Sequence, residues 1–337
     1  MDNPVAIYWS GVSVYWHSVI IALAAAATLI CASVLYKARG GSFVDIGLAA
    51  LLGFIPSMEL GRIYYCYFAQ EGFSSSQEMY QLGKGGYALY GVMAGYMLTI
   101  WLYSILVKKK TAAMFDAIAP AAALGIAIGR FASYFSGDDF GRAVTDPEKQ
   151  HFPIAVYSYS RNEWNLAVFS FEAIAALVVF IALLALFNQK GSKDFLYRDG
   201  DTALMFLLLY GIPQTVFESM RNDSLFLISL GFVRISQVIS ILLATLAFII
   251  FCVRSGKKGL TNLHYIVWVL CLGCIALAFW MEFCITNETA VRNYTIMSLC
   301  LLFYMFIGLA LYFDGSSRDM MKPSAPAHPQ QRTPVRR

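Results

Sequence analysis

Two arginines lie inside stretches of the chain that are otherwise apolar and long enough to cross a membrane. Arg62 falls within residues 44–68, and Arg130 falls within residues 112–135. An unpaired guanidinium at the centre of a bilayer costs at least ~2.5–3.5 kcal/mol. An anion must therefore offset this cost, and it is either a carboxylate of the chain or the phosphate of a lipid. The second alternative predicts chemistry on a phospholipid.

Arg130 is the stronger candidate for a phosphate ligand. No acidic residue stands three or four positions before it, and Asp138 and Asp139 follow only after the apolar stretch ends. A guanidinium matches phosphate with two parallel hydrogen bonds. We therefore expect Arg130 to be free to hold a lipid phosphate. Arg62 has Glu59 three positions before it, so a simple internal ion pair is an equal alternative there.

A second polar group follows one helical stripe near the end of a later apolar stretch. Tyr210, Gln214, Glu218 and Arg221 are spaced by four, four and three residues, which places them on one face of a helix. Ser133 shares a helix face with Arg130 in the same way. Glu218 and Arg221 are also suited to a purely structural pair, and this alternative stays open.

The composition is that of an integral membrane protein. Hydrophobic residues make up 58% of the 337 residues, and charged residues make up only 14%. Soluble domains carry about 25% charged residues. The pattern predicts an all-α bundle of about nine transmembrane helices, each near the ~20 residues needed to cross. The predicted spans are residues 12–35, 44–68, 87–107, 112–135, 166–188, 201–220, 234–253, 263–284 and 294–313.

The distribution of basic residues predicts the orientation. Most of the 25 lysines and arginines lie in the loops after the odd-numbered spans and in the tail. By the positive-inside rule the N-terminus is outside and the C-terminus inside. The inner loops are too short for a catalytic domain, and the outside carries one small cap, residues 137–165. Any chemistry is therefore expected in the outer half of the membrane. The tail, residues 316–337, is predicted to be disordered.

The same sequence favours few other partners or groups. The seven cysteines lie mostly in apolar stretches and offer no ligand pattern for a metal, so we predict neither a metal site nor a cofactor. No nucleic acid is expected as a partner. The protein is predicted to be a multi-pass membrane protein without a cleavable signal peptide.

Several short segments, read in order, resemble the phosphatidylglycerol–prolipoprotein diacylglyceryl transferases of bacterial plasma membranes. The resemblance covers about residues 3–250. Each segment alone is weak evidence for the family, but their order and topology together make the resemblance specific. The segments are Asn3-Pro4-Val5 with Tyr8-Trp9-Ser10-Gly11, Gly61-Arg62-Ile63-Tyr64-Tyr65, Gly85-Gly86-Tyr87-Ala88-Leu89-Tyr90-Gly91, Asp116-Ala117-Ile118-Ala119-Pro120 with Gly129-Arg130 and Gly141-Arg142, Ser170-Phe171-Glu172-Ala173, Tyr210-Gly211 through Glu218 and Arg221, and Ser236-Gln237.

The resemblance implies a fold, an activity and partners. Members of the family have seven spans with the N-terminus outside, so residues 1–255 are expected to form the transferase-like domain and residues 256–315 two further helices. The family moves the diacylglyceryl group of phosphatidylglycerol onto the lipobox cysteine thiol of a prolipoprotein, and glycerol phosphate leaves. The implied partners are an anionic phospholipid and the signal peptide of a prolipoprotein.

The resemblance also implies site residues, some of which depart from the family's pattern. Catalytic roles would fall to Arg130, Glu218, Tyr90 and Tyr210. Substrate-binding roles would fall to Arg62, Arg221, Ser133, Gln214, Asp138 and Gly141.

The departures concern the residues closest to the implied chemistry. Tyr90 stands where the family has a histidine, Gln214 where it has an arginine, Ser133 where it has an asparagine, and Asp138 where it has a glutamate. A phenol with a pKa near 10 is a poor base at neutral pH. The alternative to a transferase is therefore an impaired paralogue that binds phospholipid or a membrane partner. A transporter on the same helices is disfavoured because no inverted repeat is visible.

Overall fold

Nine helices that are long and apolar enough to cross a membrane dominate the residues that the computed structural model describes. Those residues are 4–69, 86–189, 197–227, 233–256, 262–285 and 289–320. The helices are α1 (Trp16–Ala38), α2 (Phe43–Phe68), α3 (Leu89–Leu106), α4 (Thr111–Gly129), α5 (Val168–Phe187), α6 (Asp201–Met220), α7 (Ile235–Ser255), α8 (Asn262–Phe283) and α9 (Ala290–Met320). The predicted all-α membrane bundle is thereby confirmed.

The largest differences from the predicted spans occur at the two ends of the chain. The first span was expected from residue 12, but β1 (Val5–Trp9) and β2 (Val12–Tyr15) form an antiparallel hairpin before α1. Ser10 and Gly11 in its turn have positive φ angles. The alternating apolar residues of this segment did not predict the turn. At the other end α9 continues through Met320, and residues 321–337 of the predicted tail lie outside the described residues.

Glycines let two pairs of helices approach closely. A Cβ at Gly91 of α3 would lie 2.5 Å from the carbonyl oxygen of Leu60 in α2. A Cβ at Gly211 of α6 would lie 2.8 Å from the carbonyl oxygen of Ser240 in α7. Small residues at such contacts are the usual means by which membrane helices pack, because lipid tails provide no hydrophobic driving force between helices. These two contacts join α2 to α3 and α6 to α7.

The burial pattern is that of a protein in lipid. Large apolar side chains are exposed on several helices, for example Leu51 at 72%, Leu106 at 80% and Val291 at 81%. Acidic side chains such as Asp116 and Glu172 are almost completely buried. Where no water can satisfy polar atoms, a protein is expected to place apolar groups on its surface and paired polar groups in its interior.

One end of the bundle, which we call the cap end, carries the polar cluster found below. After α4 the chain forms a 3₁₀ turn, Arg130–Ala132, and a short helical turn, Ser133–Ser136. It then forms the hairpin of β3 (Ala155–Ser158) and β4 (Glu163–Leu166), which lies beside the start of α5. The cap end consists of residues 130–167 and the helix ends that they contact.

At the opposite end of the bundle, a buried aspartate of α4 holds the start of α6. Asp116 of α4 accepts hydrogen bonds from the backbone nitrogens of Gly200 (2.6 Å) and Ala203 (3.0 Å). The hydroxyl of Tyr197 donates to the same carboxylate at 2.7 Å. Asp116 thus satisfies backbone donors of the first turn of α6 that the helix cannot satisfy itself. This motif residue has a structural role here.

Candidate functional site

Arg130 begins the 3₁₀ turn that directly follows α4, and this turn positions its side chain. The backbone nitrogen of Gly137 donates to the carbonyl oxygen of Ser133 at 3.0 Å, and Gly137 has φ +80°. The chain therefore reverses directly after the helix. This reversal brings Asp139 back over the helix end, where it meets both Arg130 and Ser133.

The expectation that Arg130 lacks a carboxylate partner is wrong. Its Nη1 lies 2.9 Å from Oδ2 of Asp139, and its Nε lies 2.7 Å from Oε2 of Glu172. Ser133 Oγ donates to the same Asp139 oxygen at 2.5 Å. The sequence could not show these pairs, because the turn and the packing of α5 on α4 create them. Arg130 is therefore neutralised within the chain in this conformation.

Asp139 joins Arg130 to the end of α6. Nη2 of Arg221 forms an ion pair with Oδ1 of Asp139. The backbone nitrogen of Asp139 donates to the side chain of Asp223 at 2.9 Å. Burial opposes the ionisation of Asp139, but Arg221 and Arg130 outweigh it and hold the pKa of its carboxyl well below the usual range. Asp139 has φ +58°, a left-handed conformation that aspartate tolerates better than most residues.

The predicted pair of Glu218 and Arg221 forms at the end of α6. Nη1 of Arg221 lies 3.5 Å from Oε2 of Glu218, and its Nε lies 3.0 Å from Oδ1 of Asp223. Arg221 thus contacts three carboxylates, of which Asp139 is the bridge to Arg130. The two arginines come from different helices and converge on one aspartate.

Gly141 permits the close contact between the cap and α6. A Cβ on it would lie 2.9 Å from the carbonyl oxygen of Met220 and 2.8 Å from Val168. Its own carbonyl oxygen accepts from the side chain of Asn222 at 2.6 Å, and its nitrogen donates to Leu166. Any side chain here would push the cap away from Arg221.

A narrow crevice between α5 and α6 is lined by Glu172, Tyr210 and Gln214. Gln214 Nε2 donates to Oε1 of Glu172 at 3.2 Å, so Glu172 is shared between Gln214 and Arg130. Tyr210 stacks on Phe206 with ring centroids 5.2 Å apart. The crevice has no room for a water molecule. A phosphate does not fit into this crevice in this conformation.

Tyr90 is buried at the start of α3, facing α7. Its hydroxyl is hydrogen-bonded to the hydroxyl of Ser240, which in turn donates to the carbonyl oxygen of Ser236 at 2.7 Å. Tyr90 also lies within electrostatic range of Tyr210, Glu218 and Arg130. The structure thus brings Tyr90 to the same region as these three residues.

Arg62 is held by the segment that precedes α3. Its Nη1 donates to the carbonyl oxygen of Gly86 at 3.1 Å, and its guanidinium carbon lies 5.9 Å from the centroid of the Tyr87 ring. The side chain is 4% exposed. These contacts link α2 to the segment that precedes α3.

Comparisons with known proteins decide the family. The family model of prolipoprotein diacylglyceryl transferases matches residues 4–253, about three quarters of the chain. The chain belongs to this family.

Several enzymes of bacterial origin are similar to it. The phosphatidylglycerol–prolipoprotein diacylglyceryl transferase 1 of Clostridium perfringens is 28% identical over 259 residues, which cover 76% of this chain and 97% of the relative. The corresponding protein of Streptococcus equi subsp. zooepidemicus is 26% identical over 262 residues, which cover 77% of this chain and 98% of the relative. With nine apolar helices among its described residues, the chain is a multi-pass protein of the bacterial plasma membrane.

The family resemblance pointed to most of the network but missed its central acids. Asp138 stands where the family has its glutamate, yet it is exposed, and its neighbour Asp139 makes the ion pairs. The resemblance includes Glu172 only as part of a motif and implies no role for it. A signal for it existed, because it is the one acidic residue in an otherwise apolar stretch, residues 166–188.

Proposed function

We propose that this chain transfers the diacylglyceryl group of phosphatidylglycerol to the lipobox cysteine thiol of prolipoproteins. The convergence of Arg130 and Arg221 on Asp139, beside Tyr90, Tyr210 and Glu218, supports this proposal most directly. Two guanidiniums in a largely dry site suit the stabilisation of a leaving phosphate. The names of the relatives describe the same activity.

In the proposed reaction the cysteine sulfur forms a thioether bond with the glycerol carbon of the diacylglyceryl group. The bond between that carbon and the phosphate oxygen breaks, and glycerol phosphate leaves with the electron pair. The thiol proton passes to water at the cap end. A thiol has a pKa near 8.5, and a nearby cation favours the thiolate. Arg130 would hold the phosphate, and Arg221 would support the thiolate and the leaving group.

Substrate binding in this scheme requires a rearrangement. Arg130 and Arg221 contact four carboxylates between them, those of Asp139, Glu172, Glu218 and Asp223, so the phosphate must displace at least one ion pair. Asp138 and Gly141 would shape the entrance from the cap, and Ser133 and Gln214 would line the phosphate site. Arg62 would support the headgroup from the α2–α3 side.

We further infer that the cap end faces the outside of the cell. The basic loops of the sequence lie at the opposite end, which the positive-inside rule places in the cytoplasm. Residues 1–255 would then form the transferase-like domain, residues 256–315 two additional helices, and the acceptor would approach from the outer face. A cysteine introduced at Asp138, labelled by a membrane-impermeant maleimide in intact cells, would support this orientation.

The proposed activity is tested with purified protein, labelled phosphatidylglycerol and a lipobox peptide. Transfer of the label to the peptide thiol is expected, and a peptide with serine in place of cysteine is the control. Protein that is folded by thermal unfolding but transfers no label above this control would contradict the proposal.

A second candidate function follows from the closed state of Arg130. Its two ion pairs and the hydrogen bond that engages Tyr90 suit a paralogue that no longer catalyses. Such a protein would bind phospholipid or a membrane partner. Activity that appears only after Tyr90→His is combined with Gln214→Arg would support this candidate over the first.

A further inference from the structure

The start of α1 places a histidine against the turn that begins with Arg130. Nδ1 of His17 lies 3.4 Å from the carbonyl oxygen of Ala132, the last residue of this 3₁₀ turn. Next to it, the rings of Trp16 and Phe135 stack with centroids 6.1 Å apart. These contacts fix the first turn of α1 on the segment that carries Arg130. Ala132 follows Arg130 by two residues, which is roughly 4 Å along a 3₁₀ turn.

The contact with Ala132 determines which nitrogen of the neutral ring carries the hydrogen. A carbonyl oxygen only accepts hydrogen bonds, so Nδ1 of His17 is the donor. Nε2 of the neutral ring then has a free lone pair and is the nitrogen that can take up a proton. His17 is only partly buried, so part of its side chain stays accessible. The ring is therefore held in the tautomer that a proton acceptor requires.

The charges next to this ring favour proton uptake. They belong to the turn, to the chain that follows it and to the end of α6, and they are Arg130, Asp138, Asp139 and Asp223. Asp139 and Asp223 form ion pairs with arginine. Asp138 lies within electrostatic range of His17. A carboxylate at such a place stabilises the imidazolium that forms when the ring accepts a proton.

The other histidines of the chain lie elsewhere. The sequence has four. His151 is exposed in a cap loop, where its Nδ1 lies 3.2 Å from the carbonyl oxygen of the next residue. His264 is buried in α8 at the opposite end of the bundle, and His328 lies outside the described residues. Tyr90 is a poor base at neutral pH because a phenol ionises only near pH 10. The described site therefore has one imidazole next to the turn of Arg130.

We propose that His17 accepts the thiol proton of the acceptor cysteine, a role that rests on the transferase function proposed above. The lone pair of Nε2 takes the proton, and the electrons of the S–H bond stay on the sulfur. The sulfur then forms its bond to the glycerol carbon, and the phosphate oxygen leaves with the electron pair of the broken bond. The imidazolium, stabilised by Asp138, afterwards releases the proton to water at the cap end. Arg130 and His17 thus act on the phosphate and the thiol from one turn of the chain.

The pH dependence of transfer tests this role. In the unchanged chain the initial rate of label transfer to the lipobox peptide should level off above the ordinary range of imidazole, about pH 6.5, because only the neutral ring accepts a proton. In His17→Gln, which keeps a donor for Ala132, the rate should instead rise toward the ordinary thiol pKa of about 8.5. At about pH 7 this variant should be roughly 10- to 30-fold slower, since an unaided thiol is only a few per cent thiolate there.

Two further variants separate proton transfer from a structural role. Free imidazole should restore a large part of the rate lost in His17→Ala, because it can replace the base but not a packing contact. The matched control is His151→Gln, which removes the exposed histidine of the cap and should keep the rate and the pH profile of the unchanged chain. Thermal unfolding in detergent shows which variants are folded.

The outcomes distinguish this role from the proposed function. If the unchanged chain is folded and transfers no label, the proposed function fails, and the role of His17 fails with it. If the unchanged chain transfers label but its rate rises only near the thiol pKa, the role of His17 alone is overturned, whatever the variants do. It is equally overturned if folded His17→Gln keeps the rate and profile of the unchanged chain, if imidazole leaves His17→Ala unchanged, or if His151→Gln shifts the profile as much.

Discussion

Replacement of Gln214 by arginine should free Arg130 to bind a lipid phosphate. Gln214 Nε2 lies 3.2 Å from one oxygen of Glu172, and Arg130 Nε lies 2.7 Å from the other. Unit charges at such distances attract by about 5–6 kcal/mol at an effective dielectric of about 20. A second guanidinium at position 214 would therefore compete with Arg130 for Glu172. The substitution also restores the residue type that the family resemblance implies here.

The expected gain follows from the bond that Arg130 can then make to phosphate. A hydrogen bond to a charged group contributes about 1.5–3 kcal/mol, and 1.4 kcal/mol corresponds to a factor of ten. We therefore expect Gln214→Arg to raise transfer of labelled diacylglyceryl to a lipobox peptide roughly 10- to 100-fold. Combination with Tyr90→His should raise it further, because imidazole titrates near neutral pH.

Two substitutions at the same position serve as controls. Gln214→Met removes the hydrogen bond to Glu172 without adding charge, so it should leave Arg130 paired and should not raise activity. Gln214→Glu places a carboxylate beside Glu172 and should lower activity and stability. If Gln214→Arg is folded and gives no more transfer than Gln214→Met, the pairing of Arg130 with Glu172 does not limit the reaction, and our reasoning fails.

Three further predictions concern the cap end and the opposite end of the bundle. Asp139→Asn leaves Arg130 and Arg221 short of a partner and should destabilise the protein by about 3–5 kcal/mol, measured by thermal unfolding in detergent. The lowered pKa of Asp139 means that its stabilisation is complete above the unfolded pKa near 3.9 and is lost only as the pH falls further. The effect of Asp139→Asn should therefore be constant between pH 5 and 8, and a dependence on pH in that range would contradict the assignment. Gly141→Ala should cost about 1–3 kcal/mol through overpacking against Met220 and should lower lipid transfer, whereas unchanged stability would refute the close contact. Asp116→Asn should lower the unfolding temperature and leave the lipid affinity of the remaining folded protein unchanged, since its partners lie at the far end of the bundle.

Hydropathy predicted the membrane helices well because burial in lipid imposes one simple requirement. Each span must satisfy its own backbone hydrogen bonds and present apolar side chains over about 30 Å. The predicted span 201–220 coincides with α6, and 44–68 differs from α2 by one residue. Hydropathy did not predict the hairpin before α1, because its short alternating strands fall within an apolar stretch. Local pattern does not distinguish such strands from the first turns of a helix.

The sequence by itself determined that Arg130 needs an anion, because the cost of an isolated guanidinium in the membrane depends only on residue type and depth. Motif order indicated the family. Only the tertiary structure decided which anions Arg130 and Arg221 contact. Asp139 reaches both arginines because the chain reverses at Gly137, and Glu172 reaches Arg130 because α5 packs beside α4. Contacts between helices distant in sequence depend on packing geometry, and no local pattern of residues encodes them.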